Sequence, residues 1–550
     1  MGYKALSRVM LAGIIIVIVL VGVISAISLR IIPPGGGVSP TPQVTTAVGG
    51  ERTATQIVTQ ATQISKKDLL RVAIGTDLDT LDPHGQTSIV VYNVLRHVYE
   101  TLLWFDDKGN VIPWLAERWE VSPDGLSYTF YLRKGVRFHD GSEFDAYAVK
   151  ANIDRWIDPS VRVPSRSLVG KIDRVEIIDN YTVRIYLKEP YSLFIKAIAY
   201  FVLITSPNVI KKFGNQSISE VIGTGPYRFV SWEKGKRVVL ERNDDYWGPK
   251  PPIKRIEWLV IPEASTRLAA LLAGDVDFIY APPPPDLDRI ASDPRFNVYT
   301  PVSNAYLHLS IIPRGPLADP RVRQALNYAI DKEAIVKNIL YGLGIPADSA
   351  VPPNFFGYAR MEPYQYDPER ARRLLAEAGY PNGFKMVILH PTGGSGFIND
   401  KGVAEAIQAY LSKIGIQVEL RTGDWPSYIA ELTKPLKDKQ YDAVLRLYGP
   451  AIADAHFLLY PLLHSSQRDY PNINNYSNPE VDALLSQAAS EINATKRAEL
   501  YRKAIEIVWR DAPWVFLAAQ KQFYAGTKEL KGIFIFPSGL QIYFYNSYFS

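Results

Sequence analysis

Met386-Val387-Ile388-Leu389 is followed by an amphipathic stretch over 403–414 and then by Gln417-Val418-Glu419-Leu420. The first run has the length and branched-residue content of a buried strand. The second carries apolar residues at helical spacing, and the third alternates as a strand does. Strand, helix and strand in close succession are the signature of an α/β domain. Working towards the N-terminus, Asp367-Pro368-Glu369 opens a helix with an acid at the N-cap and proline at N1. That helix runs through Leu374, Leu375 and Ala378 and is stopped by Gly379. Asp319-Pro320 starts another, whose Val322, Ala325, Leu326 and Ala329 share one face. Much further out, Leu69–Ile74 is apolar except for Arg71 and reads as a largely buried strand ending in Gly75-Thr76-Asp77. Open α/β sheets take ligands at the carboxyl ends of their strands, so Thr76 and Asp77 are candidate ligand contacts. Strand signals at 101–105, 128–132 and Thr182–Leu187 follow, with a turn at Asp107-Lys108-Gly109-Asn110 and a helix over 146–156. The chain of 550 residues therefore reads as at least two α/β domains.

The first thirty residues are not globular. Lys4 and Arg8 precede an apolar run over 9–29, broken only by small residues. Roughly 20 helical residues cross a bilayer core of ~30 Å, whereas a cleavable signal has a shorter apolar region. Residues 1–30 read as an uncleaved anchor with its basic end in the cytoplasm, which places everything after it outside. Residues 31–66, rich in Pro, Thr and Gly and almost uncharged, read as a stalk.

Composition excludes several classes of function. The sequence has no cysteine, which removes disulfides, thiol catalysis, cysteine-ligated metals and anchoring by acylation of an N-terminal cysteine. The formal charge of +5 is spread along the chain, without the basic stripe of a nucleic-acid binder. Gly393-Gly394-Ser395-Gly396 lacks the spacing of a nucleophile elbow, and no His-Glu-x-x-His occurs among seven scattered histidines. Gly342-Leu343-Gly344-Ile345-Pro346-Ala347 follows a helix and contains proline, so it is no dinucleotide fingerprint. An exported hydrolase is the alternative of a different class, and no catalytic pair in the sequence supports it.

A series of strings then stands in one order along almost the whole globular part. It begins with Leu81-Asp82-Pro83-His84, Val98-Tyr99-Glu100-Thr101-Leu102-Leu103 and Pro113-Trp114-Leu115-Ala116-Glu117. It continues through Leu132-Arg133-Lys134-Gly135-Val136-Arg137-Phe138-His139-Asp140-Gly141, Gly223-Thr224-Gly225-Pro226-Tyr227 and Glu241-Arg242-Asn243-Asp244-Asp245-Tyr246-Trp247-Gly248. Asp319-Pro320-Arg321-Val322-Arg323-Gln324-Ala325-Leu326, Tyr366-Asp367-Pro368-Glu369-Arg370-Ala371 and Glu377-Ala378-Gly379-Tyr380-Pro381-Asn382-Gly383 complete it. In these strings the chain resembles the peptide- and nickel-binding group (family 5) of extracytoplasmic solute-binding proteins of ABC importers. Turns, caps and aromatic anchors dominate the strings, which read as architecture more than as ligand contacts.

The resemblance implies an α/β, two-lobed periplasmic-binding-protein fold (class II) with an extra subdomain inserted in the first lobe. Mapped here, lobe I covers 67–305 plus 515–550, with the insertion near 88–205, and lobe II covers 306–514. It further implies capture of oligopeptides by hinge closure and delivery to ABC permease subunits in the membrane, with no catalytic residue, metal or cofactor. Peptide-binding relatives hold the terminal amine with an aspartate shortly after an aromatic residue. Tyr448 matches that aromatic, but Ala451 stands at the acid's place, and Asp454 is the nearest carboxylate. Arg162 falls near an arginine of the nickel-chelate binders, and no second arginine follows in 198–204. Some members bind oligosaccharides by stacking, a role for which Trp425 and Tyr448 are candidates. Four methionines, 40 prolines and the anchor without cysteine point to an archaeon from a hot habitat.

Overall fold

The computed structural model describes residues 68–86, 88–393 and 396–550. The expected anchor (1–30) and stalk (31–66) lie outside them, and no helix among the described residues is long and apolar enough to cross a membrane.

Two large sheets organise the chain. The first runs in the order Phe296–Tyr299, Tyr524–Thr527, Phe278–Tyr280, Leu69–Ile74, Arg255–Val260, Arg237–Arg242, Tyr227–Glu233. Leu69–Ile74 lies at its centre, parallel to both neighbours, with Leu70, Val72 and Ala73 fully buried. The second runs Gly344–Pro346, Trp514–Lys521, Val302–Ile311, Ala443–Tyr448, Lys385–Pro391, Gln417–Gly423. Here the strand–helix–strand unit is realised as Lys385–Pro391, the helix Asp400–Ser412 and the parallel strand Gln417–Gly423. Both proline-opened helices are capped as their sequences predict. Asp319 accepts from the Arg321 amide and Asp367 from the Arg370 amide.

The lobes are joined by a two-stranded antiparallel crossing. Tyr299 faces Tyr524 in the first sheet and Val302 faces Lys521 in the second, while the Gln522 amide donates to Pro301 O at 3.0 Å between them. This corrects the expected boundaries. Val302 pairs with Lys521, and Tyr306 to Ser310 pair with partners between Ala519 and Trp514, in the second sheet, so the chain changes lobes at Thr300-Pro301 and Gln522-Phe523. The physical reason is that Val302–Ile311 and Trp514–Lys521 are each buried almost end to end. Nothing in their polarity marks a break at 305 or 514.

A separate antiparallel sheet, Ala116–Val121, Ser127–Leu132, Thr182–Leu187 and Ile172–Asp179, falls within the stretch 88–205. It pairs with neither large sheet, but its Tyr128, Phe130, Val183 and Ile185 are continuous with the core of the first. Several of the ordered sequence strings converge on buried polar groups of this lobe. Glu100, fully buried, accepts from Trp114 Nε1 (2.6 Å), Thr224 Oγ1 (2.7 Å), Tyr246 Oη (2.7 Å) and Trp247 Nε1 (3.0 Å). Burial pushes its pKa up even against those four donors. Asp82 takes a two-pronged ion pair from Arg155, at 2.8 and 3.2 Å.

Two of the fully buried histidines illustrate an acid limit on this fold. His97 Nε2 accepts from the Phe544 amide at 3.0 Å, and His308 packs 4.4 Å from Trp514. Burial lowers both pKa values to about 3, from 6.5. Each is thus neutral when folded and takes a proton on unfolding below 6.5. Their contribution is complete above pH 6.5 and is lost as pH falls towards the folded value. Urea unfolding at pH 5 should give a stability lower than at pH 7 by about 2 kcal/mol per histidine. Equal stabilities at the two pH values would refute this.

Candidate functional site

A cavity of about 270 Å³ lies between the lobes. The helix Phe194–Phe201 supplies Lys196 and Tyr200, four residues apart and therefore on one face. The hairpin loop Lys108-Gly109-Asn110 and the segment 536–538 close it from the first-lobe and crossing side. From the second lobe come 353–356 and 451–453, the latter leading into the N-cap of the helix Ala455–Leu463. Phe105, Tyr200, Phe356 and Phe536 add aromatic rings to a wall that is otherwise mixed polar and apolar. The Asn354 amide nitrogen donates to Asn304 Oδ1 at 3.0 Å and Pro537 O at 3.1 Å, while its own Oδ1 is buried without a partner. A larger groove, about 640 Å³, runs beside Phe296 and Thr527 within the first lobe alone.

Asp454 stands just behind this cavity. It is fully buried, caps the helix by accepting from the His456 amide at 3.2 Å, and pairs with Arg497 and, at 3.1 Å, with Lys196. Burial alone would raise its pKa. Lys196 and Arg497 outweigh that and hold the carboxyl below its ordinary 3.8. Lys196 rides on a helix whose Phe194, Ala197 and Ile198 belong to the core of the first sheet, and Asp454 belongs to the second lobe, so this pair ties the lobes together. The Phe356 ring serves both cations, 4.8 Å from Lys196 Nζ and 4.6 Å from the Arg497 guanidinium centre.

The remaining sequence candidates do not line the cavity. Thr76 and Arg162 are exposed. Asp77 accepts from Trp232 Nε1 at 2.9 Å and from the Gly235 amide at 2.7 Å, which fixes its own loop. Trp425 stacks on Tyr428 with centroids 5.4 Å apart, and Tyr448 carries the Arg446 guanidinium 5.3 Å over its ring. Lys196, Asn354 and Phe356 were missed. The one available signal was a single cation in the otherwise apolar Phe194-Ile195-Lys196-Ala197-Ile198.

Comparison with known proteins places this geometry. Residues 110–470 match the model of the bacterial extracellular solute-binding proteins, family 5, middle region. A glutathione-binding protein, GsiB of Pectobacterium atrosepticum, is 33% identical over 475 residues, which are 85% of this chain and 92% of the relative. Among solved structures, HbpA2 from Haemophilus parasuis superposes with a TM-score of 0.80 at 30% identity, covering 88% of this chain and 100% of that one. DppA from Helicobacter pylori, bound to the peptide STSA, gives 0.72 at 30% identity, covering 88% and 98%. These sources are bacteria, which lends the archaeal expectation no support. Two lobes, a two-stranded crossing and a cavity between the lobes agree with the matched sequence: the chain belongs to the family 5 extracellular solute-binding proteins of ABC importers.

Proposed function

We propose that this protein captures a short peptide-type solute in the cavity between its lobes and hands it to an ABC permease on the outer face of the membrane. The observation that carries the reading is a cavity walled by both lobes with the crossing segments alongside, the arrangement in which closure about a few backbone positions encloses a ligand. Thr300-Pro301 and Gln522-Phe523 are the positions that absorb the motion. The N-terminal apolar segment holds the binding domain at the membrane. Small-molecule pockets occupy about 300–1,000 Å³. The 270 Å³ here falls just below that range and favours two or three residues over a long oligopeptide. The neighbouring lines of descent, which include glutathione- and peptide-binding proteins, support the same class.

Asp454 does not serve as a free clamp for an amine in this reading, because Lys196 and Arg497 already hold it. The test is a thermal-shift series on the full chain, stripped of ligand by denaturation and refolding. Dipeptides, tripeptides and glutathione at about 100 times their dissociation constant should each add about 2.7 kcal/mol. Stabilisation by cello- or malto-oligosaccharides or nickel chelates alone would overturn the peptide reading.

A further inference from the structure

The helix Pro479–Ser490 of the second lobe is capped at its C-terminal end by a residue of the first. Glu491 donates to Gln487 O and then leaves the helix in an extended conformation. The carbonyls of Ala488 and Ala489 therefore lack the amides that another turn would supply. Ser192 supplies donors in their place. Its amide donates to Ala489 O at 2.9 Å, and its hydroxyl lies 3.1 Å from Ala488 O and 3.0 Å from Ala489 O. Ser192 directly precedes Leu193 and Phe194, which are buried in the core of the first sheet. Val481, Leu485 and Ala488 on the capped helix belong to the core of the second lobe. The cap thus spans the two lobes.

Its place along the seam between the lobes is set by the helix Phe194–Phe201. Ser192, Lys196 and Tyr200 follow at intervals of four along this helix and its lead-in. Tyr200 lines the cavity, Lys196 reaches Asp454, and Ser192 reaches the helix end. Ser192 itself does not line the cavity. Neighbouring contacts cross between the same lobes. The Tyr191 ring stands edge-on to His456 with centroids 6.0 Å apart. Ile492, two residues past the capped helix, stands over the first-lobe turn at Gly125, its Cγ2 3.3 Å from where a Cβ on that glycine would lie. When the lobes part, the two carbonyls and the Ser192 donors return to water, so the cap contributes only the difference between two satisfied states. A reversible clasp needs no more: a tenfold change in the closed population corresponds to about 1.4 kcal/mol.

We propose that Ser192 is a positioning residue for capture. By capping the helix Pro479–Ser490 across the cleft it stabilises the closed form, and so sets how long a solute is held without touching it. This rests on closure between the lobes being the capture step.

The chain has no cysteine, so two introduced cysteines can carry spin labels at chosen sites of the full chain. Asn180→Cys and Lys437→Cys are both exposed, one on each lobe. Pulsed dipolar spectroscopy without solute should give two label separations, open and closed. The closed fraction should fall about tenfold in Ser192→Ala and return in Ser192→Thr, which restores the hydroxyl. In stopped-flow binding with glutathione as the probe, Ser192→Ala should dissociate about tenfold faster. Its association rate should stay within about twofold of the wild type, because the clasp forms only after the solute has entered. A closed fraction unchanged in Ser192→Ala, or one not restored by threonine, overturns the inference. So does an association rate that falls as far as the dissociation rate rises. A single separation in every variant overturns both the clasp and capture by closure. Failure of glutathione to bind counts against the peptide reading alone, and the label separations then decide the clasp.

Discussion

Replacing Asp454 by alanine is expected to destabilise the protein by about 3–5 kcal/mol, the range seen when one partner of a buried ion pair is removed. The side chain is wholly enclosed, and deleting it strands Arg497, whose side chain is only 6% exposed beside Phe356. Lys196 is 23% exposed and can recover water, so most of the penalty falls on Arg497. Loss of the N-cap to His456 adds about 1 kcal/mol. Asparagine in place of the acid would keep the cap and the volume but not the charge. Asp454→Asn should therefore recover only the cap's share. Because Lys196 and Asp454 sit on different lobes, both variants should also shift the lobes towards opening and weaken ligand binding. Urea unfolding at pH 7 measures the first effect, and small-angle scattering without ligand measures the second. A loss below about 1 kcal/mol in Asp454→Ala would show that the pair contributes nothing net.

The structure also shows which kinds of information the sequence carries. Local periodicity and capping are complete in a short window, so the unit around Met386 and Gln417 and the helices after Asp319 and Asp367 are readable directly. The ordered strings were readable as architecture for a reason visible at Glu100. Four of them supply Glu100 or one of its donors to a shared buried network, so the residue types there are set by hydrogen-bond satisfaction. The lobe boundaries were less legible, because Val302–Ile311 and Trp514–Lys521 are buried along all but the one residue nearest the crossing. The cavity was least legible. Its walls come from segments near 105, 196, 354, 452 and 537, and Lys196 meets Asp454 across 258 positions of sequence. Trp425, chosen as a stacking platform, spends its face on Tyr428 one turn along its own helix. An aromatic residue carries no mark in sequence of whether its face is already taken.

Gly223→Ala should have an effect as large as that at Asp454, of about 4 kcal/mol or more, the exceptional end of single substitutions. A Cβ at this position would stand 2.0 Å from Val98 O and 2.9 Å from Tyr99 Cα, both backbone atoms that no rotamer change can move aside. Its neighbour Gly225 is as constrained, with a Cβ 2.6 Å from Val98 O and 2.7 Å from His97 O. The loop lies flat against 97–99 because its own amides bond there, Gly225 N to Val98 O and Tyr227 N to His97 O, each at 2.9 Å. Lifting it would break those bonds and draw Thr224 away from Glu100, leaving a buried carboxylate short of a donor. Gly135→Ala is the informative control. That glycine has φ +76° and nothing within 4 Å of a built Cβ, so alanine there carries only the left-handed backbone penalty of about 1–2 kcal/mol. Urea midpoints of the two variants separate close approach from turn geometry. If Gly223→Ala cost no more than Gly135→Ala, the packing of this loop on residues 97–99 would not be what its glycines are for.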